Sequence, residues 1–165
     1  MSLTLDAVNG LSVAEFVAAF GDVAEHSPWV AEGAAEMRPF AERDDMVTAF
    51  ASVLAGAEYE AQLALINAHP DLAGKAKLTA DSASEQAGAG LDALSADEMA
   101  RFTELNGRYK AKFKFPFIFA VKGATKHMIL RSFEVRIENV AEVEFAMALE
   151  NIKRIFMFRI EDQVQ

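Results

Sequence analysis

A chain of 165 residues suits one domain, and with 52% apolar residues it can build a real core. Its 16 basic and 25 acidic residues give a net charge of −9, which repels nucleic-acid phosphates and anionic lipid, so neither partner is expected. There is no cysteine, which excludes a disulfide scaffold, a thiol nucleophile and a thiolate metal site. No apolar run approaches the ~20 residues of a membrane span. Met1 to Gly10 lacks the basic and apolar regions of a signal peptide, and Glu161 to Gln165 is no peroxisomal tripeptide. A soluble cytoplasmic protein is the expectation.

Most of the chain reads as helix. Ser12 to Glu15 is a capping-box pattern, and Val13, Phe16, Val17 and Phe20 follow as one apolar stripe. Ser27-Pro28 reads as an N-cap with proline at the first helical position, opening a helix with Trp29, Val30 and Ala34 that ends before Pro39. Asp44 or Asp45 caps the next, with Met46, Val47, Phe50, Val53 and Leu54 inward. Glu58 to Ala68 continues helically through Leu63 and Ile66 until Pro70 stops it. Ser95 to Glu98 is another capping box, opening a helix through Met99, Phe102, Leu105 and Tyr109. Lys126 to Ile137 and Val140 to Ile160 are the last two helical patterns. Phe113 to Val121, aromatic and interrupted by Pro116, reads as a short extended segment. No repeat, low-complexity tract or linker is visible, so residues 1–165 are expected to form one compact all-α, multi-helix domain.

The side chains that could carry chemistry each have a plainer reading. His69 stands at the proline-marked break, with Asp71, Glu85 and Gln86 a short way on, and histidine with glutamate is the usual pair for proton transfer near neutral pH. A helix C-terminal histidine contacting the last carbonyls is the plainer account. Ser82 and Glu85 also fit a capping box, which would explain both without catalysis. The three histidines, His26, His69 and His127, form no zinc-type pattern, and no EF-hand spacing is present, so no metal is expected. There is no glycine-rich phosphate loop and no Gly-x-Ser-x-Gly elbow. Arg108, Lys110, Lys112 and Lys114 cluster in an otherwise acidic chain, either as a solvated helix end or as an anion-attracting rim beside Phe115 to Ile118.

The order of the motifs takes the reading further. Phe20-Gly21, Glu25 to Ala31 (Glu-His-Ser-Pro-Trp-Val-Ala) and Arg38-Pro39-Phe40 come first. His69 to Lys75 (His-Pro-Asp-Leu-Ala-Gly-Lys), Leu78-Thr79, Ser82 to Gln86 and Ala89-Gly90-Leu91 follow. Then come Leu105-Asn106 with Tyr109, Lys112 to Ile118, Val121-Lys122-Gly123, Ala148-Leu149, Ile152, Ile155 and Arg159. In this order and spacing, nearly end to end, they resemble the OHCU decarboxylase family, the 2-oxo-4-hydroxy-4-carboxy-5-ureidoimidazoline decarboxylases of uric acid breakdown. The chain departs from the family at Lys114, where glycine is usual, and at Ala124, where arginine is common.

The resemblance implies an all-α fold and a decarboxylase that takes OHCU to (S)-allantoin and CO2 with neither metal nor organic cofactor. It implies His69 and Glu85 as catalytic residues, and Pro70, Ser82, Gln86, Phe117, Ile118 and Arg159 as substrate-binding ones, with the Phe115 to Ile118 backbone lining the pocket. Ile152, Ile155 and Arg159 share a helical face, so a guanidinium stands on an apolar side, answered either by a buried carboxylate or by a substrate oxygen. A homodimer is also expected, with Phe156 and Phe158 off that face as candidate interface residues. The competing readings are a non-catalytic helical binding module, a structural dimerising bundle, and a hydrolase of a related cyclic ureide.

Overall fold

The structure is a computed structural model that describes residues 2–74 and 78–165. Met1 and residues 75–77, including Lys75 of the His69 to Lys75 motif, lie outside the described residues. The all-α expectation holds. There are nine helices among the described residues and no strand, only an isolated parallel bridge between Leu3 and Val164. The chain is organised as two compact units, Met1–Ala68 with Ile152–Gln165, and His69–Asn151.

The first unit contains α1 (Leu5–Gly10), α2 (Val13–Phe20), α3 (Trp29–Ala35), α4 (Arg43–Ala55), α5 (Tyr59–Ala68) and the C-terminal part of α9 (Ala141–Gln163). The Ser12–Glu15 capping box forms as expected, each side chain bonded to the other's backbone N–H. Helix α1, not foreseen, is capped by Thr4, whose hydroxyl accepts from the Ala7 N–H. Two caps sit elsewhere than expected. Pro28 occupies the N-cap of α3, and the Ser27 hydroxyl donates to the Glu25 carbonyl instead. Asp45 is the third residue of α4 and accepts from the N–H groups of Ala41 and Glu42.

Helix α3 packs on α2 and α4. The core is aromatic: Phe16 touches Phe20, Phe40 and Phe50, and Phe50 meets Phe156 edge-on at 6.0 Å. Phe156 is therefore fully buried in its own chain and is no interface residue. Its face of α9 is wider than an i, i+3, i+7 stripe: Ile152, Ile155, Phe156, Arg159 and Ile160 are all buried, adding the i+4 and i+8 positions.

The second unit contains α6 (Ala80–Gly88), α7 (Ala96–Phe113), α8 (Lys126–Arg136) and the N-terminal part of α9. Ser95 and Glu98 cap α7 reciprocally. A hydrogen bond from Lys126, with that from the Ser95 N–H, lowers the Glu98 carboxyl to about 2. Helix α7 packs on α8 through Phe102, Tyr109 and Phe133, whose rings meet edge to face. Between α7 and α8, residues 116–121 are irregular, neither helix nor strand.

Lys114 terminates α7 in the left-handed conformation, φ 67°, with its N–H on the Lys110 carbonyl. That backbone suits glycine, and a side chain there costs roughly 1–2 kcal/mol. Glycine also loses more entropy on folding, which takes back part of the gain. Lys114→Gly is expected to stabilise the protein by about 0.5–1 kcal/mol and raise Tm by about 1–4 °C, measurable by calorimetry.

Candidate active site

Helix α5 ends at Ala68, and His69, largely buried, opens the loop that follows. Two side chains clamp this loop through its backbone. The Gln86 amide oxygen accepts from the Ala73 N–H at 3.0 Å, and its nitrogen donates to the Asp71 carbonyl at 3.4 Å. Asn106 of α7 donates to the Leu72 carbonyl at 2.9 Å. Lys110, one turn on, pairs with the Asp71 carboxylate at 2.7 Å. The loop after His69 is thus fixed by buried amides rather than by a repeating ladder, and Ala73 holds a left-handed φ of 56° within it.

Helix α6 is capped by Thr79, whose hydroxyl accepts from the Ser82 N–H. Ser82 and Glu85 therefore do not form the capping box that would have accounted for both. They lie inside the helix, and with Gln86 they occupy i, i+3, i+4 positions on one face. Ser82 and Gln86 are buried and Glu85 is half-buried. Gln86 thus spends its amide oxygen and one of its two amide N–H groups on the loop backbone.

Phe117 and Ile118 are buried. The Phe117 ring stacks on Phe133 at 3.9 Å and 7°, and the Arg136 guanidinium lies 4.3 Å over its centroid. Arg136 also donates to the Ile118 carbonyl at 2.7 Å and to Glu144 at 2.9 Å. Glu144, fully buried, further accepts from Tyr109 at 2.6 Å and Asn139 at 2.9 Å. Burial, and then the hydrogen bond to the Glu144 carboxylate, push the Tyr109 phenol far above its usual range, so it stays a proton donor. Of this cluster the sequence pattern marks only Tyr109 on the apolar side of a helix; the meeting of Arg136, Glu144 and Phe117 has no local signature.

Arg159, in the first unit, is buried and its carboxylate partner is Glu25, Nη2 to Oε1 at 2.8 Å. Its Nη1 donates to the carbonyls of Asp22 and Val23 at 3.2 and 3.3 Å. The buried-carboxylate answer to the inward guanidinium is therefore present. Glu25 had no role assigned from sequence, although it belongs to the motif that runs through Trp29. The next residue, His26, holds φ 47° and is exposed, 4.0 Å from Glu25.

The basic cluster resolves into separate structural roles. Arg108 pairs with Glu104, Lys110 with Asp71, and Lys112 donates to the Ile137 carbonyl. Among the described residues no group of three or more histidine and carboxylate side chains could hold a metal ion, and no helix is long and apolar enough to cross a membrane. An open, mostly apolar cavity of about 400 Å³ lies beside Ala73, Gln86 and Leu91 in the second unit, but His69, Glu85 and Ile118 do not line it.

Comparison with known proteins completes the description. A family model described as OHCU decarboxylase matches residues 9–161. The 2-oxo-4-hydroxy-4-carboxy-5-ureidoimidazoline decarboxylase of Haloferax volcanii is 40% identical over 161 residues, 98% of this chain and 96% of that protein. A uric acid degradation bifunctional protein of a Bacillus species is 39% identical over 97% of this chain, which spans only 32% of that longer protein. Among solved structures, (S)-allantoin synthase superposes with a TM-score of 0.82 at 28% identity, covering 98% of this chain and 54% of that one.

Proposed function

The chain belongs to the OHCU decarboxylase family, and from that premise we propose that it converts OHCU to (S)-allantoin and CO2 as a step of urate degradation. The observation that carries this is the match over nearly the whole length of this chain and of its Haloferax relative. The same match over residues 9–161 supports reading the chain as one OHCU decarboxylase-like domain.

The chemistry suits a site without a cofactor. Breaking the C–C bond to the carboxylate needs an electron sink. The OHCU ring has a C=N bond beside the carboxylated carbon, so the substrate supplies its own. The protein binds the ring, desolvates the departing carboxylate and manages the protons. The ring nitrogen that takes up the electron pair gains one, the ring hydroxyl loses one, and the ureido-bearing carbon gains one on a single face, which sets the enantiomer. His69 moves the hydroxyl proton, and Glu85 polarises it. The Thr79 cap supports this pairing, since α6 then has no need of Ser82 and Glu85 at its N-terminus. Pro70 and Ser82 border the ring, and the Gln86 amide N–H meets a ring or ureido oxygen. The backbone at Phe117 and Ile118 contributes donors, and Arg159, its fork held by Glu25, stabilises negative charge as it delocalises.

Product mass separates this reaction from its hydrolytic rival, since decarboxylation loses CO2 where hydrolysis gains water. Activity is expected to survive exhaustive dialysis against EDTA. Loss on chelation, with recovery on adding zinc or magnesium, would count against the mechanism. The protein acts in the cytoplasm as a homodimer. Support for the dimer comes from Met128 and Val135, exposed and seven apart on α8, with exposed Val140 and Val143 close in sequence. Light scattering at micromolar concentration should give twice the 18.0 kDa chain mass; the mass of one chain would remove the dimer.

A further inference from the structure

We propose that Arg136 is a positioning residue. Charge-matched by Glu144, its guanidinium fixes the Ile118–Phe119 peptide so that the backbone N–H groups of this segment are presented to the ligand. The proposal rests on the reading that the Phe115 to Ile118 backbone lines the substrate pocket.

The segment has no helix or strand to hold it, so its conformation depends on side chains. Three contacts supply the hold. Arg136 donates to the Ile118 carbonyl at 2.7 Å, its guanidinium covers the Phe117 ring, and that ring lies flat on Phe133. The peptide unit is planar, so seating the Ile118 carbonyl on Arg136 turns the Phe119 N–H to the opposite side. No hydrogen-bond partner for the Ile118 or Phe119 N–H occurs among the described residues. One residue on, the Ala120 N–H is tied to the Asn151 side chain at 3.0 Å.

A purely stabilising role explains this arrangement poorly. Buried ion pairs are weak contributors to stability, and apolar side chains of similar volume often serve better. Here the Arg136 Nη2 is also buried with no hydrogen-bond partner among the described residues, a cost an apolar residue would not carry. What the guanidinium alone provides is a planar fork that grips a carbonyl and a carboxylate together.

The test compares two variants with wild type. Arg136→Lys keeps the charge and loses the fork. Arg136→Met/Glu144→Gln strands no charge and leaves Tyr109 and Asn139 an amide to bond. Turnover of OHCU per folded molecule is measured beside the ¹H–¹⁵N resonances of Ile118 and Phe119, with and without (S)-allantoin. Misplacing donors by about 1 Å can cost 10²-fold, so kcat should fall at least tenfold in the double variant, less in Arg136→Lys, with KM within about threefold. Both amides should shift in the ligand-free variants. Wild-type kcat in the folded double variant, or unmoved amides, would overturn the positioning role and leave the pocket reading intact. Amides that shift in the variants but ignore (S)-allantoin in wild type would overturn the pocket reading, and the inference with it.

Discussion

His69→Asn is expected to lower turnover at least 10²-fold while the protein still folds. General acid–base catalysis is worth about 10²–10⁴ in rate, and asparagine cannot carry a proton near neutral pH. The loop it opens has holds of its own: Gln86 and Asn106 grip the backbone at Ala73 and Leu72, and Lys110 grips Asp71. The melting temperature should therefore fall by only a few degrees. Glu85→Gln should lose activity in the same direction, since a neutral amide polarises histidine less than a carboxylate does. An active His69→Asn enzyme would rule out the proton role. A collapse in stability with normal turnover per folded molecule would make His69 a loop residue and nothing more.

The second large effect is at Arg159. Truncating it to alanine takes the buried ion-pair partner from Glu25, which is 1% exposed. Leaving one partner of a buried ion pair costs about 3–5 kcal/mol, or a Tm roughly 6–20 °C lower for a chain of this size. Arg159→Ala/Glu25→Ala should recover part of that loss, because no charge is then left behind. Arg159→Lys separates scaffold from site. It keeps the charge opposite Glu25 but not the fork, so Tm should fall little while kcat/KM drops at least tenfold. Normal kinetics in Arg159→Lys with a much lower Tm would assign Arg159 to the scaffold alone.

Helices were legible where the local signal was complete. Ser12 with Glu15 and Ser95 with Glu98 cap as their spacing says, and Phe16, Phe20, Phe50, Phe102 and Leu105 face inward, while Val13 and Met99 at the starts of their stripes are exposed. Errors arose where two local readings compete. Ser82 with Glu85 imitates a capping box, but Thr79 is a better-placed hydroxyl and takes the cap. Ser27 and Asp45 are good capping types that serve neighbouring backbone groups instead. Helix α1 has six residues, too few to show a period. An i, i+3, i+7 stripe through Ile152, Ile155 and Arg159 leaves Phe156 outward, whereas α9 buries its i+4 and i+8 positions as well.

Of the candidate site, the residue types were legible and their partners were not. The order of motifs named His69, Glu85, Gln86 and Arg159. That Gln86 holds the His69 loop, and that Glu25 holds Arg159 across 134 positions of sequence, are long-range facts with no local signature. The same is true of Arg136, Glu144 and Tyr109, which read singly as helix residues and meet only in the folded unit.

The most direct test of the account is to supply the protein with freshly generated OHCU and follow the product by circular dichroism and mass. The account predicts release of one CO2 per substrate and accumulation of optically active allantoin as one enantiomer, (S), faster than the spontaneous decay. Racemic allantoin forming at the uncatalysed rate, or a product heavier by one water with its carboxylate retained, would contradict it.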